Sequence, residues 1–247
     1  MLNRKIRLLL VLCAAMLGVT GCVGKDQKVQ KMISYVEDKY GQSFEVEQLD
    51  KGSTFFAELY GGDKLLVHPK GQVKEPFFVF EHSTKHTYSD NYVQASLSNT
   101  FTEIHKLKIE QFDSRKRAVK LAFRGTNTPS GAAFLGTSAE DFNRDLSYDA
   151  DIYVDVVVKM DSSYGISQDA EFLYQLYNYM KSITQRNFII SIAYIKPEKF
   201  EEAEEIIRIA HTVNFAWAWL GDGVEQEFSF ERKDPVQDAS YFVNINR

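Results

Sequence analysis

The sequence predicts an α+β fold in which helices pack on largely antiparallel sheets. Two observations lead to this prediction. The first half opens with an amphipathic helical pattern and continues with short segments of alternating apolar and polar residues, which predicts a helix followed by a meander of strands. The second half alternates strand-like with helix-like segments.

The first half contains two predicted helices around the meander. From Lys28 to Tyr40 apolar residues recur on one helix face, and Gly41 follows where a helix ends. A second helical spacing appears over 93–104, with Ser89 or Asp90 as the predicted N-cap. The strand-like segments between the two helices are 44–47, 55–59, 65–67 and 77–80.

The second half is predicted to continue from a strand at 118–123. Residues 125–136 are rich in Gly, Thr, Ser and Asn, which predicts a loop or a linker between domains. The elements predicted after it are a helix at 139–146, a strand at 152–160, a helix at 169–183 capped by Ser167, a strand at 188–195, a helix beginning at Pro197, and strands at 215–220 and 227–230. We therefore predict α+β modules over 28–124 and 137–247, which can also form one domain.

The amino end has the three parts of an export signal. Arg4, Lys5 and Arg7 precede an apolar run from Leu8 to Val19, which is too short to span a bilayer comfortably. Val19-Thr20-Gly21-Cys22 follows, and this segment resembles the lipobox of bacterial prolipoproteins.

The resemblance to prolipoproteins implies a lipid anchor. It implies diacylglyceryl transfer to the Cys22 thiol and cleavage before Cys22, so that residues 1–21 are removed as the signal peptide. Two acyl chains give stable anchoring to a membrane. Residues 22–27 are then expected to be a lipidated tether, and the rest of the chain is expected to lie at the cell membrane, facing away from the cytoplasm.

A second resemblance concerns the folded part. The stretch 35–46, with Lys39-Tyr40-Gly41 and Phe44-Glu45-Val46, is similar to a segment of small uncharacterised Gram-positive lipoproteins. The helix-then-meander order of the first half resembles cystatin-like and PepSY-like modules. These resemblances imply a fold and leave the activity open.

Composition excludes several classes of function. The formal net charge is −5 and becomes more negative when the basic signal is removed, which argues against nucleic acid as a partner. Cys13 lies within the signal, so Cys22 is the only cysteine expected in the mature chain. A mature chain of this kind has no intramolecular disulfide, thiolate metal site or cysteine nucleophile.

Oxygen-bearing side chains give the best candidates for a metal site, although we predict none. Asp141, Asn143 and Asp145 alternate as in the first part of a calcium loop, and Asp149 is a further candidate. The glycine and the glutamate that such a loop needs are missing. His82 and His86 are four residues apart, but they follow a predicted strand, where this spacing does not bring two imidazoles together.

No catalytic residue is assigned from the sequence. Ser130 and Ser138 lack the context of a nucleophile elbow. Trp217 and Trp219 alternate on a predicted strand and would share one face, which makes them candidates for binding, although core packing is the alternative.

The function expected from these observations is binding. We predict a membrane-anchored lipoprotein that presents a binding or interaction module to an envelope protein or an extracellular ligand, without a cofactor other than its lipid. The alternative is an envelope hydrolase that acts on peptidoglycan or peptide through paired carboxylates.

Overall fold

The computed structural model describes residues 23–51, 62–82, 87–113, 117–160, 169–209 and 216–244. These residues form an α+β fold with two four-stranded sheets, as the sequence predicts. The lipobox, the predicted strand 55–59, His86 and the predicted cap Ser167 lie outside the described residues. The chain divides into two compact units, one comprising Met1–Lys70 with Val79–Asp90 and the other Gly71–Phe78 with Asn91–Arg247.

The first unit contains one helix and a meander of strands. The elements in chain order are α1 (Val23–Tyr40), β1 (Phe44–Asp50), β2 (Lys64–Pro69), β3 (Phe77–His82) and β4 (Thr87–Asp90), and the strands lie in the order β1-β2-β3-β4. The pairs β1–β2 and β3–β4 are antiparallel. Helix α1 begins at Val23, so residues 23–27 of the predicted tether are part of this helix.

Helix α1 ends as the sequence predicts. Its apolar stripe is buried, with Met32 and Val36 fully inaccessible. Gly41 adopts a φ of 67°, a left-handed conformation that glycine tolerates without strain. Its amide donates to the carbonyl of Glu37 at 2.8 Å, which closes the last turn of the helix.

The carboxylate of Asp90 ties α1 to the end of β4. It accepts hydrogen bonds from Lys39 Nζ at 2.6 Å, Tyr40 OH at 2.6 Å and Tyr35 OH at 3.0 Å. Both predicted N-caps of the next helix, Ser89 and Asp90, are therefore wrong, since both residues belong to β4. The residue before that helix is Asn91, and its side-chain oxygen accepts from the Phe78 amide at 2.7 Å instead of capping.

The second unit is built on the second sheet. Its elements in chain order are α2 (Tyr92–Glu110), β5 (Arg117–Gly125), α3 (Ala139–Arg144), β6 (Ala150–Lys159), α4 (Ala170–Ile183), β7 (Phe188–Ile195), α5 (Phe200–Arg208), β8 (Val224–Glu231) and α6 (Ser240–Asn244). The strand order is β5-β6-β7-β8. The pair β6–β7, connected through α4, is parallel, and the pairs β5–β6 and β7–β8 are antiparallel.

Helices cover both faces of this sheet, as strand β7 illustrates. Phe188 packs against Tyr177 of α4, with ring centroids 5.7 Å apart. Ala193 and Ile195 belong to a buried cluster with Phe200 and Ala203 of α5. Because successive side chains of a strand point to opposite faces, β7 is buried on both sides.

Residues 125–136, predicted as a loop or linker, lie within the second unit. Strands β5 and β6 on either side of this segment pair in register from Arg117↔Val158 to Gly125↔Ala150. The segment therefore belongs to the connection between two neighbouring strands. It contains a short 3₁₀ turn at Ala132–Phe134.

The predicted strand at 215–220 is wrong. A 3₁₀ helix, Ala216–Gly223, occupies this place, and Leu220 is buried beside α5. A short apolar run is compatible with either a buried strand or a buried helical turn, so its pattern does not separate the two. Trp217 and Trp219 consequently do not alternate along a strand, and the argument that placed them on one face no longer applies.

Candidate functional site

The four calcium candidates do not converge on one point. Asp141 accepts from Ser138 Oγ at 2.6 Å and also pairs with Arg144. Asn143 is buried, where it donates to the Ile183 carbonyl at 2.8 Å and accepts from Thr184 Oγ1 at 2.7 Å. Asp145 accepts from the Ser147 amide at 3.0 Å, and Asp149 accepts from Thr126 Oγ1 at 2.9 Å.

The other chemical candidates have local structural roles. Ser138 is the N-cap of α3, since its hydroxyl accepts from the Asp141 amide at 3.0 Å. His82 is exposed and lies 2.9 Å from Ser89 Oγ. Within the described ranges, no group of three or more His, Cys, Asp or Glu could hold a metal ion. None of the described helices is long and apolar enough to cross a membrane.

A cavity of about 580 Å³ lies within the second unit. Its walls come from α2, the edge strand β5, helix α5 and the turn before Phe77. The lining residues are Lys74, Glu75, Asn99, Thr100, Thr102, Glu103, Lys106, Arg117, Ala118, Val119, Lys120, Glu204, Ile207 and Arg208. This volume lies in the range of pockets that hold small organic ligands.

Helix α2 is attached to the edge of the sheet through its side chains. Gln94, Ser98 and Thr102 lie one helical turn apart and hydrogen-bond to the backbone of β5. Ser98 Oγ accepts from the Phe123 amide at 3.0 Å, and Thr102 Oγ1 accepts from the Leu121 amide at 3.0 Å. Gln94 Nε2 donates to the Phe123 carbonyl. Thr102 is the last of these three residues, and it also lines the cavity together with Asn99, Thr100, Glu103 and Lys106 of the same helix.

Lys120 and Asn99 form the polar floor of the cavity. Lys120 lies on the face of β5 that also carries Ala118, which packs against the α5 cluster. Its side chain is buried, with 6% of the residue exposed, and its Nζ donates to Asn99 Oδ1. Asn99 is 8% exposed, and its Nδ2 is buried without a hydrogen-bond partner among the described residues.

Burial changes the pKa of Lys120 on the floor of the cavity. Loss of solvent lowers the pKa of Lys120 to about 8, because the charged ammonium is the form that burial disfavours. The Glu103 carboxylate opposes this effect and the Arg208 guanidinium adds to it, while Asp155 and Glu75 oppose it more weakly. Lys120 is therefore a buried amine whose charge depends on pH near neutrality.

Asp155 lies directly across from Lys120 in the β5–β6 register. Its carboxylate pairs with Arg124 at 2.8 Å. Burial raises the pKa of Asp155 to about 6, against the opposing charges of Arg124 and Lys120. Asp155 does not line the cavity, and its carboxylate is held by Arg124.

The mouth of the cavity carries charges of both signs. Lys74, Thr100 and Glu103 are exposed. On the α5 side, Arg208 is fixed by Nη1 donating to the Val73 carbonyl at 2.8 Å and by Nη2 at 2.6 Å from Glu205 Oε1. A ligand that enters would thus pass a mixed surface before reaching a floor of nitrogen donors.

Sequence reasoning missed this floor. One signal was available, because Lys120 is the only charged residue in the apolar run 118–123. A lysine in a buried strand must find a partner or a function. Its partner Asn99 lies 21 positions earlier, on a helix whose face pattern showed only the apolar stripe.

Comparison with protein-family models gives no match for this sequence, and comparison with curated proteins gives none either. Among solved structures, the chain is similar to the crystal structure of a DUF5037 family protein from Ruminococcus gnavus ATCC 29149. The two share 18% sequence identity with a TM-score of 0.48, over 81% of this chain and 88% of that one.

Proposed function

We propose that this chain is a lipid-anchored envelope lipoprotein whose second unit binds a small ligand in the cavity between α2, β5 and α5. The observation that carries the proposal is the pair of buried nitrogen donors on the floor of that cavity. Buried donors without acceptors are unfavourable, so a protein that keeps them has a use for them.

The anchor rests on the sequence. The lipobox ending in Cys22 supports lipidation, and the negative net charge argues against attachment through a basic surface. In this proposal the ligand reaches the protein from outside the cytoplasm, and an envelope protein is a further possible partner.

Binding fits the cavity better than hydrolysis does. A glycosidase-like site needs two carboxyl groups, one of which is held protonated by its surroundings. The carboxyl whose pKa burial raises to about 6 is Asp155, and it is paired with Arg124 away from the cavity lining. Hydrolysis would have to use Glu75, Glu103 or Glu204, which line the same cavity.

A ligand screen with one blocked variant tests the binding site. The full chain, purified from membranes in detergent, is screened by thermal unfolding against a library of small metabolites. A bound compound at roughly 100 times its Kd should raise the midpoint by about 5 °C. Thr100→Trp, at an exposed position in the mouth, should abolish the shift, and Leu107→Trp, on the same helix but outside the cavity, should keep it.

The outcomes separate the alternatives. Equal shifts in both tryptophan variants would place binding elsewhere and contradict the proposal. Turnover of a peptidoglycan fragment or peptide by the wild type, lost in Glu103→Gln or Glu204→Gln, would favour the hydrolase. The anchor is tested separately, since Cys22→Ala should leave the membrane fraction.

A further inference from the structure

We infer that the ligand carries a carboxylate, and that Lys120 and Asn99 bind this carboxylate at the floor of the cavity. The inference rests on the proposed function and specifies the chemistry of its ligand. An organic acid, an amino acid and the end of a peptide all carry such a carboxylate, and the floor recognises only the group they share.

Lys120 and Asn99 provide more N–H donors on the floor of the cavity than they use. A lysine ammonium has three N–H donors, and Lys120 makes one hydrogen bond within the described residues, to Asn99 Oδ1. Asn99 Nδ2 adds two N–H donors, and no residue in the described part of the chain accepts from them. Both residues are more than nine-tenths buried. The floor therefore offers several donors and needs acceptors, and a carboxylate supplies two acceptor oxygens.

The hydrogen bond with Lys120 fixes the orientation of the Asn99 side-chain amide. Lys120 Nζ can only donate, so the side-chain oxygen of Asn99 must face it. The amide nitrogen is thereby turned away from Lys120, and flipping the amide would place two donors against each other. The arrangement commits Asn99 to donating toward whatever acceptor the cavity receives.

The charges around Lys120 favour a carboxylate over a more highly charged anion. The charged groups that act on Lys120 are Glu103 from α2, Arg208 from α5, Asp155 from β6 and Glu75 from the preceding turn. The lining of the cavity carries five basic residues (Lys74, Lys106, Arg117, Lys120 and Arg208) and three acidic ones (Glu75, Glu103 and Glu204). Both arginines are already paired, Arg117 with Asp113 and Asp169 and Arg208 with Glu205. The buried ammonium of Lys120 balances one negative charge, and the second charge of a phosphate dianion would lie near the Glu103 and Glu75 carboxylates, which favours a carboxylate.

Matched probes test the inference. Acetate, benzoate and N-acetylalanine are each titrated against the full chain in detergent beside their primary amides, with inorganic phosphate as a further probe. The readout is the NMR signal of the Lys120 amine, assigned by its loss in Lys120→Met. At pH 7 we expect at least one carboxylate to bind about tenfold or more tightly than its amide and than phosphate, since an ion-paired hydrogen bond is worth more than a neutral one.

Two variants separate recognition from folding. Lys120→Met should fold and lose the preference for carboxylate, measured by protein-wide NMR shifts. Asn99→Asp should also lose it, because its own carboxylate would occupy Lys120. Lys108→Met, at an exposed lysine of α2 outside the cavity lining, should keep the preference. Binding to the wild type should weaken about tenfold between pH 7 and pH 9 as Lys120 loses its proton.

The outcomes distinguish the inference from the proposed function. Amides that bind the wild type as tightly as carboxylates, and are blocked by Thr100→Trp, would leave a binding cavity but overturn the role of Lys120. A carboxylate preference that survives in Lys120→Met would overturn it as well. Tighter binding of phosphate would show the wrong anion class, and failure of every probe to bind would count against both proposals.

Discussion

The hydroxyl of Thr102 on α2 accepts a hydrogen bond from the Leu121 amide on β5 and shares its single hydrogen between the carbonyls of Ser98 and Leu121. Its Oγ1 accepts from the Leu121 amide at 3.0 Å and lies 3.0 Å from the Leu121 carbonyl oxygen. Strand β5 is at the edge of its sheet, so its outer backbone groups have no neighbouring strand. The Thr102 side chain makes hydrogen bonds that a neighbouring strand would otherwise make. This part of the sheet edge is therefore not available for pairing with another chain.

The first prediction concerns the hydrogen bonds between Thr102 and the edge of β5. Thr102→Val keeps the shape of the side chain and removes its hydrogen bonds, leaving the Leu121 amide buried without a partner. We expect the free energy of unfolding to fall by about 2 kcal/mol in urea denaturation. Thr100→Val, two residues away and exposed, should change it by less than about 0.5 kcal/mol. Equal effects of the two variants would mean that the helix does not stabilise the edge in this way.

The second prediction concerns Arg186, which holds the end of the β5–β6 connection. Its guanidinium donates to four carbonyl groups, those of Phe142, Asp145, Tyr148 and Ala150. A lysine has one nitrogen and cannot reach all four, so Arg186→Lys should lower the unfolding free energy by roughly 3 kcal/mol. The same change at the exposed Arg144 is the control and should be nearly neutral. A neutral Arg186→Lys would contradict the structural role of this arginine.

The third prediction concerns Asp90 in the first unit. Asp90→Asn weakens the attachment of α1 to β4, because a neutral amide replaces a carboxylate that accepts from Lys39, Tyr35 and Tyr40. Lys39 is partly exposed, so the expected loss is about 2 kcal/mol rather than the larger cost of breaking a fully buried pair. Faster hydrogen exchange in α1 would confirm it. Asp38→Asn, exposed on the same helix, should leave exchange unchanged.

The fourth prediction follows from the pKa of Lys120. The folded protein lowers this pKa from 10.5 to about 8, so between these pH values the unfolded chain binds a proton that the folded chain does not. Folding stability due to this group therefore rises with pH across that window. Relative to Lys120→Met, the wild type should gain roughly 3 kcal/mol between pH 8 and pH 10.5. Unfolding curves of both proteins across this range measure the difference, and a constant difference would contradict the lowered pKa.

The sequence predicted those parts of the fold that local pattern determines. The apolar stripe of α1 and the β-branched run of β6 each match one type of element, and both are found where expected. The strand predicted at 215–220 was wrong because six apolar and small residues are compatible with a strand and with a helical turn equally well. Residues 23–27 of the predicted tether are helical, because polar residues are as compatible with an exposed first turn of a helix as with a coil.

The candidate site could not be predicted from local sequence pattern. Lys120 and Asn99 lie on different elements and meet only through the packing of α2 on β5. Asp155 reaches its position through strand register, which the sequence of one strand does not determine. The four calcium candidates were close in sequence, and the turn of α3 directs Asn143 inward and Asp141 outward.

Analysis of the small molecules that accompany the protein tests the central claim, ligand binding in the second unit, most directly. Wild type, Thr100→Trp and Leu107→Trp are extracted from membranes in mild detergent, denatured, and their released compounds compared by mass spectrometry. We predict a compound that bears a carboxylate, near one equivalent per chain, with the wild type and Leu107→Trp and strongly depleted with Thr100→Trp. The same compounds in the same amounts from all three proteins would contradict the account.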